Sequence, residues 1–296
     1  MLLSFHLLNY YHMWVTRIHF KTPVLLLGFS ALLSGCEETI APKFPDESKI
    51  AVTAELIADQ PPVLHIVELN SIGYAGSAKP IADAEVAIQD LQTKERYTFS
   101  AQGNGYWKNE GFQAKSGKTY QLNVKTKNQE VKAVSTVPAP LNTSAERSDN
   151  SQTTISLNLP VANFSPLIIT LESRSYRMEG TSVVYLGDWE NTGMICKDPA
   201  TDNIRYGELP APWLKLFIPA ETTAKTLTFN PENQTGMRKY RLHVKAAEPG
   251  YYKYVYDYEY LKNNNSSGYF SYIALQSNVI KGLGIFAGVY EKVIEL

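Results

Sequence analysis

The chain has 296 residues, and its 28 basic and 29 acidic side chains leave a formal charge of −1. A chain so nearly neutral carries no electrostatic footprint for nucleic acid, which excludes that partner class. Two cysteines are too few for a disulfide framework, and 19 Tyr against 11 Phe and 4 Trp point to half-exposed sheet faces, where an amphipathic ring packs well.

The first 35 residues have the order of parts of an export leader. Arg17, His19 and Lys21 precede an apolar run at 23–33, which ends in Leu32-Leu33-Ser34-Gly35-Cys36. A secretory signal has a positive stretch, an apolar stretch of ~7–15 residues and a small-residue cleavage site. A transmembrane helix needs about 20 apolar residues, more than this run holds. Leu-x-Ser-Gly-Cys at the end of the run is similar to the lipobox of bacterial lipoproteins. That resemblance implies cleavage before Cys36, alkylation of its thiol by a diacylglycerol, and attachment to a membrane through the lipid. Each buried methylene contributes ~0.8 kcal/mol and two or more acyl chains hold stably. Translation starts at Met1 or at Met13; both remain open. Removing residues 1–35, which hold Arg17 and Lys21 and no acid, leaves 261 residues with a formal charge of −3. With Cys36 lipidated, Cys196 is the one other thiol, and we expect it to be buried and inert.

Residues 36–48 contain Glu37-Glu38, Pro42 and Pro45, a composition that predicts an extended tether. Glu37-Glu38 is similar, in part, to the acidic signal that directs some Bacteroidota lipoproteins to the outer face of the outer membrane. From Lys49 onward short apolar runs alternate. Strands are predicted at 50–56 and 63–69, around Asp59-Gln60-Pro61-Pro62, then at 84–88, 97–99, 120–124 and 130–134, with a Gly103-Asn104-Gly105 turn. Strands at ~8–12-residue spacing predict an Ig-like β-sandwich over 49–140. Residues 82–124, with Tyr106 after the turn and Gly117-Lys118-Thr119-Tyr120, resemble the carboxypeptidase-regulatory or transthyretin-like sandwich, a scaffold that implies no activity. Pro138-Ala139-Pro140 and a polar tract at 142–154 place a boundary before a second β-rich domain over 141–296.

In that second region strands are predicted at 154–159, 167–171, 182–186, 214–218, 226–229 and 240–244. Between them, residues 187–213 form a long segment predicted to be irregular, and long loops in compact domains often carry function. Trp189, Asp198, Asp202 and Trp213 on this segment are candidate ligand-binding residues, since they mix aromatic and carboxylate groups. Next, Glu248-Pro249 opens a tyrosine-rich stretch that Asn263-Asn264-Asn265 closes. As a strand it would form an aromatic ladder. The Glu-Pro start and the asparagine stop favour one short helix, with Tyr251, Tyr254, Val255, Tyr258 and Leu261 on its inner face. Packing on a sheet is the plainer role for these tyrosines. A stacking platform for sugar or peptide is the functional one, and on it Tyr252 and Tyr256 are further candidate ligand-binding residues.

The chain closes with Ser277-Asn278-Val279-x-x-Gly282-Leu283-Gly284-Ile285-Phe286-Ala287-Gly288. This motif, the lipobox, the β-rich N-terminal region with Gly117-Lys118-Thr119-Tyr120, and Tyr251-Tyr252-Lys253-Tyr254 together resemble an uncharacterised Bacteroidota outer-membrane lipoprotein family, catalogued as a domain of unknown function. Its genes often lie beside those of TonB-dependent receptors. The resemblance spans nearly all of the mature chain, its most specific part is the C-terminal motif, and residues 163–213 depart from the family's spacing. It implies an outer-membrane address and a TonB-dependent receptor as partner, and it supplies no catalytic residue.

After cleavage only His65 and His243 remain, each in a strand pattern, and two histidines alone do not make the usual three-ligand zinc site. No Gly-x-Ser-x-Gly elbow occurs. Gly117-Lys118-Thr119 imitates a phosphate loop, but Phe112 stands where that loop needs glycine, so it reads as a turn into a strand. Gly282, Gly284 and Gly288 miss the dinucleotide spacing and point to close backbone approach in a sheet. Asp198, Asp202 and Asn203 lack the spacing of an EF-hand loop. No cofactor or metal is expected. The sequence therefore predicts a mainly β, non-enzymatic surface lipoprotein that acts as accessory or ligand-binding partner of a TonB-dependent receptor. A structural or adhesive envelope module and a hydrolase with an unrecognised site are the alternatives.

Overall fold

Strict alternation sets where the strands run. The computed structural model describes residues 48–69, 78–150, 152–159, 165–196, 214–220, 222, 225–232, 235–265 and 275–296, all within one compact unit, Pro45–Leu296. The leader, Cys36, the tether, Asp198, Asp202, Asn203 and Trp213 lie outside the described residues.

The fold is mainly β. The first strands are β1 (Lys49–Ile57), β2 (Val63–Leu69), β3 (Lys79–Pro80), β4 (Glu85–Asp90), β5 (Arg96–Gly103), β6 (Tyr106–Lys108), β7 (Thr119–Lys125) and β8 (Glu130–Thr136). In β1 every second residue, Ile50, Val52, Ala54 and Leu56, is buried, as a half-buried strand requires. β5 bonds to β4 on one side and to β6 on the other. The sheet turns over there, and the inward residues of β1 and β2 join those of β4, β7 and β8 in one apolar cluster. Phe112 sits in this sandwich-like core with the rings of Tyr97, Phe99 and Tyr120 at 4.7, 5.9 and 5.5 Å. Each fully buried aliphatic side chain there contributes about 1.5–3 kcal/mol. Gly117, at φ +74°, turns the chain into β7, as read from the sequence.

The next strands are β9 (Ser144–Asp149), β10 (Thr153–Asn158), β11 (Leu167–Glu179), β12 (Ser182–Thr192), β13 (Met194–Cys196), β14 (Leu216–Ile218), β15 (Thr226–Pro231) and β16 (Arg238–Ala247). A four-stranded sheet, in the order β13-β15-β10-β9, packs its apolar face on β11, β14 and β16. Most of the polar tract at 142–154, read as a domain boundary, forms the edge strand β9 and the start of β10, because an edge strand needs ladder bonds more than apolar side chains. One expectation is corrected here: the segment from Gly187 is not a loop at its start. β12 continues to Thr192, and residues 187–189 bulge across the step that Arg174 alone makes on β11. Gly187 supplies the left-handed φ of +91° for that bulge, and its carbonyl accepts a 2.7 Å hydrogen bond from Arg174 Nε.

The last strand, β17 (Leu283–Glu295), lies between β1, to which it is parallel, and β16, to which it is antiparallel. β16 covers only Val289 onward. The earlier edge of β17 is satisfied differently. Asn278 accepts from Phe286 N–H at 2.9 Å and donates to Phe286 C=O at 2.6 Å, and Gly288 N–H donates to Ser135 Oγ of β8 at 2.7 Å. The glycines of the closing motif permit this crowding. A Cβ on Gly284 would lie 2.0 Å from Val52 O, and one on Gly288 would lie 2.4 Å from Thr136 O. The motif is thus a backbone clamp, as its glycines suggested.

Candidate functional site

The far face of the central strands is apolar at one end and charged at the other. Ile168, Ala247, Ile285, Ala287 and Val289 form the apolar end, and the single helix among the described residues, α1 (Pro249–Asn265), lies against it. The helix begins as read from the sequence. Glu248 C=O accepts from Tyr252 N–H at 3.0 Å, and Pro249 occupies the first turn, where its missing N–H costs nothing. Tyr251 is buried and its hydroxyl donates to the Glu55 carboxylate of β1; burial and that carboxylate push its phenol far upward. Tyr254 and Val255 pack on the same cluster. Tyr258 does not join the inner face as expected: it is exposed, and the half-buried positions include Tyr252 and Tyr256 instead.

Tyr252 and Tyr256 stand one turn apart and meet one ring. Both approach Phe217 of β14 edge-on, at 5.7 and 5.2 Å between centroids. They line a cleft of about 540 Å³ with Pro166, Pro219, Ala220, Pro249, Lys253 and Asp257. Lys253 Nζ donates to both oxygens of Asp257, at 3.0 and 2.7 Å, across one helical turn. Asp257 is 7% exposed at its side chain, so its charge is held by that lysine at the cleft wall. An ion pair between Lys215 and Glu259 ties α1 to the approach of β14. Chemically the cleft offers flat apolar walls from proline and tyrosine, plus one donor-acceptor pair. That suits a small ring-bearing ligand with a polar edge.

Of the sequence-predicted residues, the structure brings Tyr252 and Tyr256 together and places Trp189 elsewhere. Trp189, on β12, lies under the Arg241 guanidinium, 4.6 Å from its carbon to the ring centroid. Asp198, Asp202 and Trp213 lie outside the described residues. Cys196 is half-buried on β13, with Sγ donating to Thr228 C=O at 3.2 Å. His65 rests against the Tyr106 ring at 4.6 Å. Among the described residues, no group of three or more His, Cys, Asp or Glu is placed to hold a metal ion.

Sequence reasoning missed the charged end of the same face. Arg241 Nε donates to Glu172 Oε2 at 2.8 Å, and the two residues are direct cross-strand partners. His243 is clamped between carboxylates, with Nδ1 2.9 Å from Glu291 and Nε2 3.1 Å from Glu172. The bond to Glu291 raises the imidazole pKa against its burial, and the Glu172 bond adds to the rise. Burial alone would raise Glu172, but the bonds from Arg241 and His243 outweigh it and hold its carboxyl below the usual range. Glu291 is lowered by its bond to His243. These groups come from three strands, so no local spacing announces them. In the cleft, Tyr252 and Tyr256 were named from the sequence, while the Lys253-Asp257 pair, an i, i+4 pair on the helix, was overlooked.

A family model described as a domain of unknown function, DUF4249, matches residues 37–294. No curated protein matches the chain.

Proposed function

Since the chain belongs to the DUF4249 family, whose description names no activity, we propose a non-enzymatic binding lipoprotein of the outer membrane, held by lipid on Cys36 and serving a TonB-dependent receptor. The observation that carries the binding role is the cleft where Tyr252 and Tyr256 converge on Phe217 beside the Lys253-Asp257 pair. A preformed concavity with apolar walls and a few polar groups is the usual form of a small-ligand site. The address rests on the order of basic stretch, apolar run and Leu32-Leu33-Ser34-Gly35-Cys36. Among the described residues no helix is long and apolar enough to cross a membrane. The receptor partnership rests on the likeness of the closing motif to a family encoded beside such receptors.

The test is purification of the tagged, lipidated chain from outer membranes, beside a Cys36→Ser form. We expect the parent to carry fatty acid, to sediment with membranes and to bring down a TonB-dependent receptor, and the serine form to do none of these. Membrane retention and acyl labelling of Cys36→Ser would end the anchor reading, and repeated recovery without a receptor would end the partnership.

A further inference from the structure

β12 ends the order of the large sheet, and among the described residues no strand pairs with its second edge. Its run Val183-Val184-Tyr185-Leu186 holds no charge and no proline, and Val183, Tyr185 and Leu186 are 41%, 40% and 47% exposed. β-branched and aromatic residues on an open edge form a template for another strand, and sheets ordinarily blunt such edges with charge, proline or a cover. None of these devices occurs within the run.

The electrostatics beside the edge are equally unfinished. Arg174 of β11 and Lys239 of β16 are direct cross-strand partners, a like-charge pairing that costs stability. Both lie over the Tyr185 ring, at 4.3 and 5.8 Å from its centroid. Of the carboxylates on β11, Glu172 is paired with Arg241 and Glu179 with Arg177. Among the described residues no ion pair neutralises Arg174 or Lys239.

We propose that the free edge of β12 takes up an extended, acidic segment of a partner protein, which adds a strand to the sheet and sets a carboxylate against Arg174 and Lys239. Side chains directly opposite each other in a ladder share a face, so the residue opposite Tyr185 falls beside both cations. The bulge at 187–189 interrupts the edge and confines the pairing to the run before it. A second copy joined edge to edge would bring only the same uncharged run and leave both cations unmet. Main-chain bonds would supply affinity and the carboxylate selectivity, the division of labour usual when a strand is added to a sheet. This surface is separate from the α1 cleft, and its occupant need not be a receptor.

The experiment titrates the full-length chain in detergent with the labelled peptide acetyl-Thr-Val-Glu-Val-Glu-Val-Thr-amide. The same peptide N-methylated at alternate residues, and one with lysine for glutamate, serve as comparators. We expect the acidic peptide to bind, both comparators to bind at least about tenfold more weakly, and added salt to weaken the complex. The double variant Arg174→Gln, Lys239→Gln should lose about tenfold in affinity while still unfolding in one cooperative transition. Four results would overturn the proposal: no peptide binding, equal binding of the N-methylated peptide, equal binding by the double variant, or a concentration-dependent dimer that Val183→Lys dissolves, which would assign the edge to a second copy.

Discussion

Gly284 shows how one missing atom decides a fold. It combines φ +101° with a Val52 carbonyl where a Cβ would go, while Gly180, at φ +63°, has nothing within 4 Å of the same position. Alanine at Gly180 then meets backbone strain alone, about 1 kcal/mol. At Gly284 main-chain atoms that cannot swing aside add to the strain, and at Gly288 such atoms act alone, so either loss should exceed about 2 kcal/mol. Urea unfolding of the three alanine variants checks that order. His243 carries a different residue-scale consequence. Its folded pKa lies above the ordinary 6.5, so the stability it contributes is complete below that value and is lost as pH rises through the folded pKa. Glu172 and Glu291 are held below 4.5, so their contribution is complete above that value and is lost as pH falls. The cluster is therefore strongest between the two ordinary values. Replacing His243 with Gln should flatten the decline in urea midpoint between about pH 5.5 and 8.5; an unchanged slope would remove His243 as its source.

At the scale of elements, β17 depends on a segment that is neither strand nor helix. Asn278 does for Phe286 what a neighbouring strand would do, and Ile280 bridges to Lys132 of β8. Asn278→Ala leaves a buried N–H and C=O without that partner and should cost about 2 kcal/mol or more, against little for Ser277→Ala; thermal unfolding distinguishes them. The helix shows both the reach and the limit of local reading. Its start follows from Pro249, whose effect acts within a turn, and the helix runs through the asparagines read as its stop. Which tyrosines face inward was misjudged at Tyr258, since the neighbours that select a face, Glu55 and Phe217, come from distant strands. Likewise Gly187 looked like the start of a loop, and only the partner strand reveals a bulge.

At the scale of the molecule, β17 is common property. Phe286 belongs to the cluster beneath β1, Tyr290 and Ile294 pack on the cluster beneath β16, and Ile285 and Val289 lie under α1. Burial of Ile285, Phe286 and Val289 alone contributes roughly 5–9 kcal/mol, comparable with the whole stability of an ordinary domain, about 5–15 kcal/mol. A chain ending at Gly282 should therefore show no cooperative thermal transition, and a sharp transition in its circular dichroism would refute the shared role.

What the sequence determined by itself is whatever depends on neighbours along the chain. That includes the alternation that makes strands, the start of α1 at Pro249, and the crowding implied by Gly282, Gly284 and Gly288. Tertiary structure alone decided that β1 and β17, near opposite ends of the chain, pair in parallel. It also decided that Tyr252 and Tyr256 share Phe217, and that His243 meets two carboxylates. The physical reason is that backbone preference and hydrophobic period act over a few residues, whereas strand order and side-chain meetings depend on which distant surfaces bury each other best.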